Sequence, residues 1–169
     1  MDGSICYCII IRGPPGSGKS SVAERLSKLI KANMISVDSV LKINGLEEDM
    51  EGGYISQSSF IKANAIIAAD AERSLKSGVC VIIDGNFYWP SQIVDLSGRL
   101  GEWRIYAFTM KVPLSVCITR DSLRKQPLGR EATEAVYKKT VSFNYGIDID
   151  ASGSIDDTAN AIISYLPSG

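Results

Sequence analysis

Gly13-Pro14-Pro15-Gly16-Ser17-Gly18-Lys19-Ser20 is a complete G-x-x-x-x-G-K-[ST] phosphate-binding loop. Its flanks have the character such a loop requires. The apolar run from Ile5 to Ile11 leads in, and an amphipathic helical stretch, Ser20 to Ala32, leads out. The glycines let successive backbone N–H groups turn inward on an anion, and the helix start adds unpaired N–H groups and the positive end of its dipole. The cradle then runs through Gly13, Pro14, Pro15, Gly16, Ser17, Gly18, Lys19, Ser20 and Ser21. Lys19 would reach the β- and γ-phosphates, and the Ser20 hydroxyl would hold Mg²⁺. A plain turn between strand and helix needs neither Gly18 nor the Lys-Ser pair behind it.

Working outward, apolar runs too short for helices alternate with periodic helical stretches. Strands are predicted at Ile5–Arg12, Met34–Asp38, Val79–Asp84, Arg104–Val112 and Ile147–Asp150. Most are continuous Val/Ile-rich runs, the pattern of strands covered on both faces. Helices are predicted at Ser20–Ala32, Ser58–Ser77, Pro90–Leu100, Pro113–Arg124, Thr133–Phe143 and Ile155–Leu166. The second of these carries a stripe of Phe60, Ala63, Ile67, Ala71 and Leu75 and stops at Gly78. Such alternation predicts an α/β fold: a three-layer αβα domain with a parallel sheet and right-handed crossovers. At 169 residues it reads as one domain, 1–169. Asn44–Gln57 is polar and acidic and reads as a mobile loop or irregular segment, while Arg120–Arg130 reads as a basic turn between helices. Both belong at the carboxyl ends of the strands, where open α/β sheets bind ligands.

Composition narrows the function. With 45% hydrophobic and 22% charged residues, the chain has the make-up of a soluble globular protein. A net charge of −1 provides no basic field, which disfavours a large nucleic-acid footprint. No apolar run approaches the about 18 residues a membrane span needs, and Asp2 with no basic n-region argues against a signal peptide. The expected location is cytoplasmic, with Cys6, Cys8, Cys80 and Cys117 as small buried thiols in a reducing compartment. The chain contains no histidine, so a proton acceptor near neutral pH is most readily a carboxylate.

Two carboxylates fit. Val79–Asp84 is an apolar strand ending in aspartate, the pattern of a Walker-B acid, so Asp84 joins Ser20 as a candidate Mg²⁺ holder. Asn86 is either a turn residue or a contact to the acceptor. Asp38, at the end of the second predicted strand, is either the base for an attacking hydroxyl or the N-cap of a short Ser39–Ile43 segment. Arg120 and Arg124, four apart on one helix, and Arg130 beyond the turn form a candidate lid, about 120–132, over a triphosphate.

With Gly13–Ser20, Asp38, Val81-Ile82-Ile83-Asp84-Gly85-Asn86-Phe87 and the Pro113–Tyr137 lid segment together, the chain resembles the small P-loop kinases. It is most similar to the group of polynucleotide 5′-kinases, zeta toxins and chloramphenicol phosphotransferase. That resemblance implies a five-stranded parallel sheet ordered 2-3-1-4-5 and ATP as donor. It also implies Asp38 as base, Arg120, Arg124 and Arg130 as lid arginines, and an adenine contact around Asp150–Ser154.

The expected activity is transfer of the γ-phosphoryl group of ATP·Mg²⁺ to a hydroxyl on an unidentified acceptor, framed by about residues 38–77. From Asp38 to Asp70 there is no arginine and only Lys42 and Lys62, which argues against a nucleoside monophosphate and its need for arginine forks. A nucleic-acid 5′-hydroxyl stays open, because Phe87, Tyr88 and Trp89 either stack a base or pack. The alternatives are a nucleotide or nucleoside kinase of this fold and a nucleotide-binding switch without transfer. No Asn-Lys-x-Asp segment occurs, which argues against a GTPase.

Overall fold

Every residue of strand β1 (Tyr7–Arg12) is buried, and the rest of the molecule is arranged around it. The structure, a computed structural model, describes residues 5–168. After β1 and the phosphate loop come α1 (Lys19–Ile30), β2 (Asn33–Ser36) and α2 (Val37–Ile43). A hairpin of β3 (Met50–Glu51) and β4 (Tyr54–Ile55) leads to α3 (Gln57–Lys76), β5 (Val81–Gly85) and α4 (Pro90–Arg99). The chain continues through β6 (Arg104–Lys111), α5 (Leu114–Ser122), α6 (Arg130–Val141), β7 (Ile147–Asp150) and α7 (Ile155–Ile163).

The main sheet has five parallel strands in the order β2-β5-β1-β6-β7. Counting only its members along the chain, this is the expected 2-3-1-4-5. Side chains of β1 alternate between two cores, as the two-residue period of a strand dictates. Cys8 and Ile10 pack with Val37, Leu41, Phe60, Ile67 and Leu96 under α2, α3 and α4. Ile9 and Ile11 pack with Val22, Leu26, Phe108 and Ile162 under α1 and α7. Both faces being dry explains why the strand sequences are continuously apolar. Parallel pairing with helical crossovers brings every strand's carboxyl end to one edge, where Gly13 N–H donates to the Gly85 carbonyl at 3.3 Å.

Several boundaries depart from the sequence reading. The second strand stops at Ser36, whose hydroxyl accepts from Ser39 N–H at 3.3 Å and opens α2. Val37 and Leu41, four apart, supply the buried stripe that makes the helix preferable to two more strand residues. Asn44–Gln57 is not wholly irregular, since Met50–Ile55 folds back as the hairpin. α6 starts at Arg130, three residues before its first strongly buried side chain, because Arg-Glu-Ala are good helix formers. α5 ends at Ser122, so Arg124 lies past the helix and not on a face shared with Arg120. Of the cysteines, Cys8 and Cys117 are fully buried, whereas Cys6 and Cys80 are half-buried.

Candidate active site

The phosphate loop is held by backbone constraints before any ligand arrives. Gly16 (φ 76°) and Gly18 (φ 85°) lie in the left-handed region that favours glycine. A Cβ on Gly16 would sit 2.2 Å from the Cys117 carbonyl oxygen, so the loop is wedged against α5 and admits no side chain there. Ser17 N–H closes the turn onto the Pro14 carbonyl at 3.1 Å, and α1 starts from Gly18 with no side-chain cap. Its first N–H groups are therefore left for an anion.

Lys19 is buried, 7% exposed. Burial pulls its pKa down, and the charges of Asp38 and Asp84 pull it back up. Ser20 Oγ donates to Asp84 Oδ2 at 2.7 Å, while Asp84 Oδ1 is buried with no partner. Burial raises the Asp84 pKa, the Ser20 hydroxyl and Lys19 lower it, and Asp38 raises it again. Asp38 therefore shares an electrostatic neighbourhood with both groups. Among the described residues no three His, Cys, Asp or Glu side chains converge as a metal cluster. A hydroxyl and a carboxylate whose second oxygen is orphaned nevertheless suit Mg²⁺, which uses few protein ligands beside a substrate's phosphates.

A cleft of about 460 Å³ opens over the loop, lined by Gly16–Ser21, Met110, Arg120, Arg124 and the 151–158 segment. Arg120 bridges its two sides, with Nη1 donating to the Ser17 carbonyl at 3.3 Å and to the Ala151 carbonyl at 3.3 Å. The loop after β7 reaches the cleft through Ala151, Gly153 and Ser154, but the Asp150 carboxylate is turned onto Ser152. Arg130 is exposed on the first turn of α6 and does not line the cleft. Of the three arginines expected to form a lid, Arg120 and Arg124 line the cleft and Arg130 does not.

On the acceptor side, Asp38 is exposed in the first turn of α2. Its alternative role as N-cap is taken by Ser36. Asn86 Oδ1 is buried and unpartnered, two residues past Asp84 in the chain. Phe87 and Tyr88 are core residues, 0% and 4% exposed. Tyr88 OH accepts from Ile55 N–H at 3.1 Å, and the Trp89 indole N–H donates to the Ile55 carbonyl at 2.8 Å. Lys139 Nζ lies 3.5 Å from the centroid of the Trp89 ring. These aromatics anchor the hairpin and pack. They do not form a platform for a base.

A family model described as an AAA domain (AAA_33) matches residues 8–142, from within β1 to just past α6. The chain belongs to this family. Solved structures share its fold at low sequence identity. A gluconokinase from Sinorhizobium meliloti 1021 superposes with a TM-score of 0.71 at 16% identity, covering 94% of this chain and 90% of that one. The Mycobacterium tuberculosis APS kinase CysC, in complex with AMPPNP and APS, gives 0.74 at 18%, covering 97% and 99%. A Deinococcus radiodurans tunicamycin resistance protein gives 0.68 at 17%, covering 94% of each. No curated protein matches the chain. The fold of this AAA-family chain is therefore that of P-loop kinases, and no helix among its described residues is long and apolar enough to cross a membrane.

Sequence reasoning missed Asp121, which organises the turn between α5 and α6. Its buried carboxylate accepts from Leu128 N–H at 3.1 Å and Gly129 N–H at 3.0 Å, and Arg124 lies 3.5 Å away. The signal was an acid inside the basic stretch, ahead of the Pro127-Leu128-Gly129 turn. Burial opposes its charge, yet the two amides, Thr133 and Arg124 outweigh burial and hold the pKa below the ordinary carboxylate value. A lowered folded pKa contributes stability above the unfolded value, about 3.9, that is lost as pH falls through the folded one. The turn at 123–129 is expected to become protease-sensitive as pH falls below about 4. Asp121→Asn should show that sensitivity already at neutral pH, which limited proteolysis across a pH series will measure.

Proposed function

We propose that this chain is an ATP- and Mg²⁺-dependent kinase that phosphorylates a hydroxyl on a small acceptor. The loop amides and Lys19 would bind the β- and γ-phosphates, and Ser20 and Asp84 would hold Mg²⁺. Bound there, Mg²⁺ supplies neutralisation of phosphate charge. Asp38 would accept the hydroxyl proton as the acceptor oxygen bonds to the γ-phosphorus and the bond to the β-phosphate oxygen breaks, releasing ADP. Arg120 and Arg124 would steady the charge on the transferring group.

The observation that carries this reading is Lys19 and the Ser20–Asp84 pair meeting the field of an exposed Asp38. A passive nucleotide-binding switch has no use for that last group. A small alcohol is favoured because residues 38–70 offer no arginine and because Phe87 and Tyr88 are committed to the core. Neighbours in fold described as a gluconokinase, a sugar kinase and an APS kinase point the same way. The finer grouping with polynucleotide 5′-kinases, zeta toxins and chloramphenicol phosphotransferase rests on shared motifs.

The test is ATP consumption by purified protein against sugars, nucleosides, small alcohols and 5′-hydroxyl oligonucleotides. Turnover stimulated by a small alcohol, lost with EDTA and restored by Mg²⁺, is expected. Stimulation by the oligonucleotides alone would move the acceptor to nucleic acid, and no stimulation by any class would leave only nucleotide binding.

A further inference from the structure

Arg12 has the largest of the fully buried side chains, 0% exposed, at the last position of β1 next to Gly13. Burial pulls its pKa down to about 10, so it remains a cation at neutral pH. A buried cation is costly unless its donors are used. Here they are spread over elements far apart in the chain. Nε donates to the Phe87 carbonyl at 3.0 Å, three residues past Asp84. Nη1 reaches Thr109 Oγ1 at 3.4 Å on β6. Nη2 donates to the Thr140 carbonyl. The guanidinium carbon stands 4.2 Å from the centroid of the Phe143 ring.

The Thr140 contact gives this network its direction. α6 ends at Val141, so the Thr140 carbonyl is among the last four that a helix cannot satisfy internally, at the negative end of the dipole. Arg12 therefore caps the helix that follows the lid turn, from inside the sheet. The same side chain holds the turn after Asp84 and abuts the first residue of the phosphate loop. Phe87, whose carbonyl it takes, is one of two non-glycine residues with positive φ among those described, at 49°. That turn conformation is unusual for a bulky residue and needs a fixed partner.

We propose that Arg12 is a positioning residue that fixes the lid helix α6 relative to the phosphate loop and the Asp84 turn, so that nucleotide binding in the cleft is transmitted to α6. A guanidinium suits the task because its planar fork serves three acceptors in different directions. A lysine ammonium presents only a compact point charge. The consequence for turnover rests on the kinase reading above. The structural coupling does not.

The experiment compares full-length wild type with Arg12→Lys and Arg12→Met. Affinity for AMPPNP·Mg²⁺ is measured by calorimetry, and amide exchange over 130–146 is followed with and without AMPPNP, with α3 as internal reference. Both variants should keep AMPPNP affinity within about 3-fold while losing most of the nucleotide-dependent protection of 130–146, exchange there rising about 10-fold or more. With an active acceptor, kcat should fall about 10- to 100-fold with KM for ATP little changed. Wild-type protection in Arg12→Lys, or equal loss of AMPPNP affinity and kcat, overturns the proposal. If neither variant folds, Phe143→Leu decides. Faster exchange over 138–146 with AMPPNP affinity retained supports the coupling, and exchange equal to wild type rejects it. Absence of acceptor-stimulated turnover in the wild type would remove the kinase reading and leave the exchange comparison standing.

Discussion

Replacing Lys19 by alanine is expected to lower turnover by about three orders of magnitude or more, with a matching loss of nucleotide affinity. The reason lies in its surroundings. Lys19 is buried at the first position of α1, within the electrostatic influence of Asp84 and Asp38 and in the loop that would receive phosphate oxygens. In a site with little water, one fixed positive charge does far more than it would at the surface. The same burial makes it a burden for the empty protein, since desolvation works against its charged form. Lys19→Ala should therefore hold or raise the melting temperature of the ligand-free protein while abolishing its rise with added ATP. Calorimetry and thermal melts on the two proteins measure both effects. Nucleotide-dependent stabilisation equal to that of the wild type in the variant would show that the triphosphate binds elsewhere.

Asp38→Asn is expected to reduce kcat by about 10²- to 10⁴-fold and leave ATP affinity nearly unchanged. The variant keeps shape and hydrogen-bonding capacity and removes only the ability to take a proton. Because Ser36 caps α2 and Asp38 is exposed, stability should not move with activity. That separation makes the variant informative. A fall in melting temperature parallel to the fall in kcat would assign Asp38 a role in holding α2, and an unchanged kcat would remove it from the chemistry. Single-turnover measurement of transfer, with binding followed separately, distinguishes these outcomes.

The fold was legible because its signals are local. Glycines and a lysine at fixed spacing define the loop, and strands buried on both faces read as unbroken Val/Ile runs; the order of the five strands came from the resemblance to small P-loop kinases. The Ser20–Asp84 contact was legible for a similar reason, each half lying next to a strand end that the topology must bring to one edge. What escaped depends on side chains meeting across long stretches of chain. Arg12 looks like the polar end of a strand until Phe87, Thr109 and Thr140 close around it. Asp121 looks like one acid among bases until the Leu128 and Gly129 amides fold back onto it. The hairpin at Met50–Ile55 was hidden by its shortness, since two-residue strands have no periodicity to detect. Besides its own pairing it is held by Tyr88 and Trp89, both hydrogen-bonded to the Ile55 backbone. Arg124 was misplaced because the predicted helix ran past Ser122 to Arg124, where the chain had already left the helix.

The strand that carries the loop takes its neighbours from Val81–Gly85 on one side and Arg104–Lys111 on the other. During synthesis, then, the glycine-rich segment leaves the ribosome ahead of both strands that must flank it. The strand leading into it remains without either partner until Val81–Gly85 has emerged, and Cys117, which wedges Gly16, follows later still. A nascent chain therefore carries its most recognisable motif well before the partners that shape it, with an apolar strand exposed to misassociation in between.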